Sequence, residues 1–141
     1  VMQTAMPWVT QTRAGTAPAG VRAARGLAAH ASGHSAEARV ADHYRDRGAE
    51  VLERCWRSPA GEVDLIVRDG EAVVFVEVKK ADTHDGAAAR LSRRQMDRIC
   101  MAALIYADKL PGGALTDIRF DAALVDATGR VEIIENAFGL N

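Results

Sequence analysis

Apolar and polar positions alternate most clearly between Glu62 and Lys80, where two runs rich in Val, Ile and Phe flank Asp69-Gly70. Such a pair of runs around Asp-Gly predicts a β-hairpin. Upstream, Val51, Leu52, Cys55 and Trp56 predict a strand over Glu50 to Arg57, joined to the hairpin by the turn residues Ser58-Pro-Ala-Gly61. Helical spacing of Val40, Ala41 and Tyr44 predicts a helix over Ser35 to Arg47, with Ser35 as N-cap and Gly48 as its stop. Ile99, Ala102, Ala103 and Tyr106 mark a second helix over Ser92 to Asp108. Pro111-Gly-Gly breaks the chain, and two further strands follow, Ile118 to Asp126 and Arg130 to Glu135.

Successive strand residues face opposite sides of a sheet, so Glu62, Asp64 and Ile66 share one side. Val73, Phe75, Glu77 and Lys79 share a side of the next strand. A two-residue turn at Asp69-Gly70 pairs Asp64 with Phe75 and Glu62 with Glu77, leaving the charged residues on one face. A four-residue loop keeps that face and sets Asp64 opposite Glu77, whereas a three-residue loop separates them. Directly opposed residues lie roughly 4.5–5.5 Å apart.

Val-Val-Phe-Val-Glu-Val-Lys is apolar enough to be buried on both faces, a central position in a sheet. Glu77 and Lys79 stand where such a strand should carry Val or Ile. Carboxylates gathered in a poorly hydrated place repel one another unless a cation joins them. A hard divalent ion held by Asp64, Glu77 and a backbone carbonyl resolves the repulsion, with Lys79 orienting or deprotonating a water. A solvated sheet face with a Glu–Lys pair explains the same spacing equally well.

Composition narrows the field. The chain has 141 residues, a length for one domain, and a net charge of −1. Attraction to nucleic acid must then come from local patches rather than the whole chain. The one dense basic cluster is Arg90, Arg93, Arg94 and Arg98, at the start of the second helix, where the helix dipole favours phosphate. A solvated helix face is the alternative. Ser92-Arg-Arg-Gln95 also spells a capping box. Cys55 and Cys100 lack metal-ligand spacing and are expected as buried thiols. His84 is expected as a solvated residue of the polar loop after Lys80. Residues 1–32, with three arginines and no acidic residue, are expected as a weakly structured extension, and 33–141 as the folded domain.

Asp64 followed by Glu77-Val78-Lys79 on the next strand resembles the PD-(D/E)xK nuclease signature. The wider text resembles the YraN family of bacterial proteins, assigned to that superfamily near the Holliday junction resolvases. The matching blocks are Arg54-Cys-Trp-Arg57, Gly61-Glu-Val-Asp-Leu-Ile66, Phe75-Val-Glu-Val-Lys79, Arg119-Phe-Asp121 and Asn136-Ala-Phe138. Cys55 departs from the family's usual Asn, and Ala81 stands where a second basic residue is typical, with Lys80 one step earlier.

The resemblance implies an α/β restriction endonuclease-like fold, a three-layer arrangement with a central mixed five-stranded sheet flanked by helices. It implies a cytoplasmic, metal-dependent endonuclease acting on DNA, on branched or single-stranded structures, with homodimers admitted. Asp64, Glu77 and Glu37 would bind Mg²⁺ or Mn²⁺, and Lys79 and Gln95 would complete the catalytic set. Arg90, Arg93, Arg94, Arg98 and Lys80 would contact the nucleic acid. Glu62 would support Asp64, and Asp121 is read as structural. A first-turn carboxylate favoured by the helix dipole is the competing role for Glu37. The competing function is a DNA-binding or repair scaffold with a vestigial site.

Overall fold

A computed structural model describes residues 7–10 and 28–139. Its elements are β1 (Pro7–Thr10), α1 (Ala28–Asp46), β2 (Glu50–Ser58), β3 (Gly61–Asp69) and β4 (Ala72–Lys80), followed by α2 (His84–Ala88) and α3 (Arg93–Ala107). A single 3-10 turn, Gly113–Leu115, leads to β5 (Ile118–Val125) and β6 (Val131–Ile134). The strands form one sheet in the order β1-β6-β5-β4-β3-β2. β4 and β5 run parallel, bridged by α2 and α3, and the other neighbours are antiparallel. The five expected strands are β2 to β6, and β1 adds a short edge strand beside β6. Most of the extension expected over residues 1–32 lies outside the described residues.

The sheet has a helix on each side. Val40, Ala41 and Tyr44 of α1 pack with Leu65, Val67, Val74, Val76, Ala123 and Ile133. Ile99, Ala102, Ala103 and Tyr106 of α3 pack with Val63, Ile66, Val73, Phe75 and Phe120 on the other side. Val73 to Val76 are completely buried, as the unbroken apolar run of a strand covered on both faces requires. Trp56 is half-buried at the edge of this second core, its ring edge-on to Tyr106 with centroids 5.1 Å apart.

Three local expectations are corrected. Helix α1 begins at Ala28, so Ser35 lies within it instead of capping it; alanines at 28, 29 and 31 carry the helix backwards. The hairpin turn is Gly70-Glu71, flanked by the pair Asp69↔Ala72, one residue later than the Asp69-Gly70 turn. Gly70 has φ +66 and takes the first central position, where a type II′ turn needs glycine. His84 opens the short helix α2 instead of standing in a solvated loop. Its Nδ1 lies 3.2 Å from Glu132 and its Nε2 3.0 Å from the Arg130 carbonyl oxygen, tying α2 to the β5–β6 hairpin.

Asp121 has no exposed surface and collects four donors. It accepts hydrogen bonds from Tyr44 Oη at 2.7 Å, from Arg119 Nε at 2.9 Å and Nη2 at 3.0 Å, and from the Asn136 backbone N–H at 3.0 Å. One carboxylate thus joins α1, β5 and the segment after β6. Asp121→Asn keeps the volume but turns an amide N–H₂ toward donors. The expected result is a loss of about 1.5–3 kcal/mol, the usual worth of a hydrogen bond to a charged group, read as a lower urea midpoint at unchanged slope.

Candidate functional site

The site lies where the sheet divides. The β3–β4 ladder ends at Leu65↔Val76. Beyond that pair β3 stays joined to β2 as far as Ser58↔Gly61, and β4 stays joined to β5 as far as Lys80↔Val125. The two strands therefore part, each held by its outer neighbour. One more step of the same register sets Asp64 opposite Glu77, the relation that a four-residue loop produces.

Asp64 reaches across the fork, its Oδ2 accepting the Val78 backbone N–H at 2.8 Å. Glu77 is 3% exposed, and its Oε2 lies 3.0 Å from Lys79 Nζ. The two carboxyls act on each other's ionisation. Burial and then the charge of Glu77 push Asp64 up to about 7, against the opposing Val78 hydrogen bond, with a further upward contribution from Glu37. Glu77 is likewise raised, first by burial, while Lys79 and the Asp64 hydrogen bond pull the other way. Both carboxyls are therefore held above their ordinary range, the behaviour of two carboxylates confined to one poorly hydrated place.

A hard divalent cation suits this donor set. It would offset the charge of both carboxylates. Among the described residues, no group of three or more His, Cys, Asp and Glu is drawn together to hold an ion. The fork thus supplies two carboxylates, and Glu37 reaches them through its charge.

Glu37, half-buried on α1, is engaged by a residue whose role strand alternation conceals. Cys55 Sγ donates to Glu37 Oε1 at 3.3 Å. The expectation of a buried thiol holds for Cys100 and fails for Cys55, which is exposed. β2 is irregular before and at this residue. Its register shifts between Val51 and Glu53, and Cys55 has φ +50, so facing no longer follows from parity. Partial desolvation of the otherwise exposed thiol, the Glu37 hydrogen bond and the charges of Glu37, Glu62 and Asp64 push it up to about 11, so it stands as a donor at neutral pH. Glu62 itself is exposed.

The basic residues are arranged unevenly around the fork. Arg90 Nη1 donates to the Lys80 carbonyl at 2.9 Å, at the end of β4, and Lys80 is exposed. The side chain of Arg98 lies along Gly61, at the start of β3; a Cβ on that glycine would sit 3.7 Å from Arg98 Cδ. Gly61 and Lys80 stand opposite each other in the extended register, so Arg98 and Arg90 belong to the two prongs. Arg93 is exposed and pairs with Asp97 at 3.2 Å, and Arg94 is exposed. Of the capping box, the Ser92 half is present: its hydroxyl accepts the Gln95 backbone N–H at 3.1 Å. No helix among the described residues is long and apolar enough to cross a membrane.

Residues 36–125 match the sequence profile of a family described as "Uncharacterised protein family UPF0102". A UPF0102 protein of Cereibacter sphaeroides (strain ATCC 17029 / ATH 2.4.9) is 56% identical over 113 residues, covering 80% of this chain and 97% of that protein. One from Ruegeria pomeroyi is 50% identical over 117 residues, covering 83% and 95%. One from Dinoroseobacter shibae is 46% identical over 131 residues, covering 93% and 98%. The matched stretch contains both prongs of the fork, Glu37 and the arginine cluster, and the chain belongs to the UPF0102 family, the YraN-like group whose blocks its sequence carries.

Proposed function

We propose that the protein is a divalent-metal-dependent endonuclease that hydrolyses DNA phosphodiesters, acting on branched or single-stranded structures. The observation that carries this reading is the fork: a buried and a half-buried carboxylate, Glu77 and Asp64, beside a lysine, at the point where a central strand leaves its neighbour. A core has no use for that combination, which costs stability unless a cation relieves it. Asp64 and Glu77 would hold Mg²⁺ or Mn²⁺, with Glu37 assisting directly or through water. When bound, the ion supplies a Lewis acid for the phosphate and lowers the pKa of water. Lys79, placed against Glu77, contributes a positive charge that orients the water or offsets phosphate charge. Gln95 remains a candidate for the water or a backbone phosphate.

The direct test is cleavage of branched and single-stranded DNA by the purified protein with Mg²⁺ or Mn²⁺, parent against Glu77→Gln. Metal-dependent cutting that disappears in the variant supports the reading; equal cutting by both refutes it. The presence of two carboxylates rather than three favours, as the second reading, a DNA-binding scaffold without turnover. That protein would bind the same substrates and cut none.

Binding should rest on the local arginines, because a net charge of −1 supplies no general attraction. Each phosphate that an arginine neutralises contributes about one unit to the salt slope of log K. Replacing Arg93 and Arg94 together with Gln should weaken binding most at low salt and flatten the slope by as much as about two units. The pairing of Arg93 with Asp97 makes its share the smaller one. A salt titration of affinity for a branched duplex in Ca²⁺ reads this. An unchanged slope moves the DNA surface away from α3.

A further inference from the structure

Cys55 holds an unusual position for an ordinary side chain. Its φ of +50 lies in the left-handed region, where only Gly, Asn and Asp are at ease. Strain of this kind persists only where the surroundings enforce it, and it gathers at functional sites. Here the strained backbone brings an exposed thiol from the edge strand β2 to the one carboxylate that the fork itself does not supply, Glu37 on α1. That hydrogen bond bridges two elements, and the β2–β3 register, with Arg54 opposite Leu65 and Trp56 opposite Val63, sets Cys55 level with Asp64 of the fork.

We propose that Cys55 is a positioning residue for Glu37: its thiol fixes the carboxylate beside the fork, and the site binds its divalent ion tightly only when residue 55 carries a side-chain proton donor. The inference rests on the metal-dependent reading above and extends it to a residue that makes no hydrogen bond to Asp64 or Glu77. A free Glu37 has three rotatable bonds and must be ordered each time an ion arrives. A Glu37 already held by Cys55 has given up that freedom beforehand, which is the general route by which preorganisation raises affinity. The hydrogen bond occupies Oε1 alone and leaves Oε2 for the ion or its water.

Substitutions separate this role from a structural one, because strain and donor can be removed independently. Cys55→Gly removes the donor and relieves the left-handed strain, so it should be at least as stable as the parent. Cys55→Ala removes the donor and keeps the strain. Cys55→Asn tolerates the backbone and restores an N–H donor. The measurement is the dissociation constant for Mn²⁺ alone, by calorimetry, with thermal melting of each metal-free protein alongside. Cys55→Gly and Cys55→Ala should bind Mn²⁺ about five- to tenfold more weakly, with Cys55→Asn within about twofold of the parent. The glycine variant should lose affinity while losing no stability, a split that a purely structural role does not produce. Cys55→Gly binding Mn²⁺ as tightly as the parent, or Cys55→Asn failing to restore binding, overturns the proposal and leaves the nuclease reading intact. A parent that binds no Mn²⁺ overturns both.

Discussion

At pH 8 and without divalent metal, Asp64→Asn should be more stable than the parent. Asp64 is pushed up to about 7 in the folded protein, by burial first and by the charge of Glu77 second. In the unfolded chain an aspartate titrates near about 3.9. Between these values the folded protein keeps a proton that the unfolded chain has released, so stability falls as pH rises from about 4 to about 7. The stabilisation belongs to the protonated form; it is fully present below the lower value and gone above the upper one. Three pKa units at about 1.36 kcal/mol each make the penalty at pH 8 up to about 4 kcal/mol. Asparagine is nearly isosteric with the protonated acid. It can accept the Val78 N–H and donate toward Glu77 without ever carrying charge. Urea unfolding from pH 4 to pH 8 should therefore show a falling curve for the parent and a much flatter one for the variant. Parallel curves would mean that Asp64 is not under repulsion in the folded state.

Lys79→Ala should abolish cleavage of branched or single-stranded DNA, by about 10²–10³-fold, the usual cost of removing one group that stabilises developing charge. Metal-induced stabilisation should survive almost unchanged, because the lysine is assigned to water and phosphate and not to the ion. Two consequences at Glu77 bear on the reading. Its carboxylate loses a partner 3.0 Å away, so the metal-free variant should be less stable at neutral pH. A bound cation would supply the missing positive charge, so Mg²⁺ or Mn²⁺ should stabilise the variant at least as much as the parent. Undiminished cleavage by Lys79→Ala would place the activity in a contaminant or at another site.

The chemistry of the fork is legible in the sequence because it breaks a strong pattern. A strand buried on both faces has one composition, and Glu77 and Lys79 violate it in a way that survives small errors of register. The register itself is less legible. Moving the turn from Asp69-Gly70 to Gly70-Glu71 changes the residue facing Asp64 in register from Phe75 to Glu77, and glycine at position 70 suits either turn, so composition does not decide between them. That the sheet parts at this point has no signature in composition, since it depends on β2 and β5 holding their neighbours more firmly than β3 and β4 hold each other. Cys55 is hidden for a related reason. Alternation assumes a regular strand, and β2 is irregular where it matters. The setting of His84 escapes a local reading because its partners, Glu132 and the Arg130 carbonyl, lie 46 or more positions away along the chain. By contrast, the structural reading of Asp121 holds, although its four donors come from three separate parts of the chain.

The central claim is that Asp64 and Glu77 are a cation site, and thermal melting at pH 8 with and without Mg²⁺ or Mn²⁺ tests it most directly. An ion that binds only the folded protein stabilises it by mass action, about 2.7 kcal/mol at one hundred times the dissociation constant. The parent should start lower than Asp64→Asn and rise with metal toward or past it, while the variant, with one carboxylate left, should hardly move. A melting temperature that ignores the metal in both proteins, or rises equally in both, would contradict the claim.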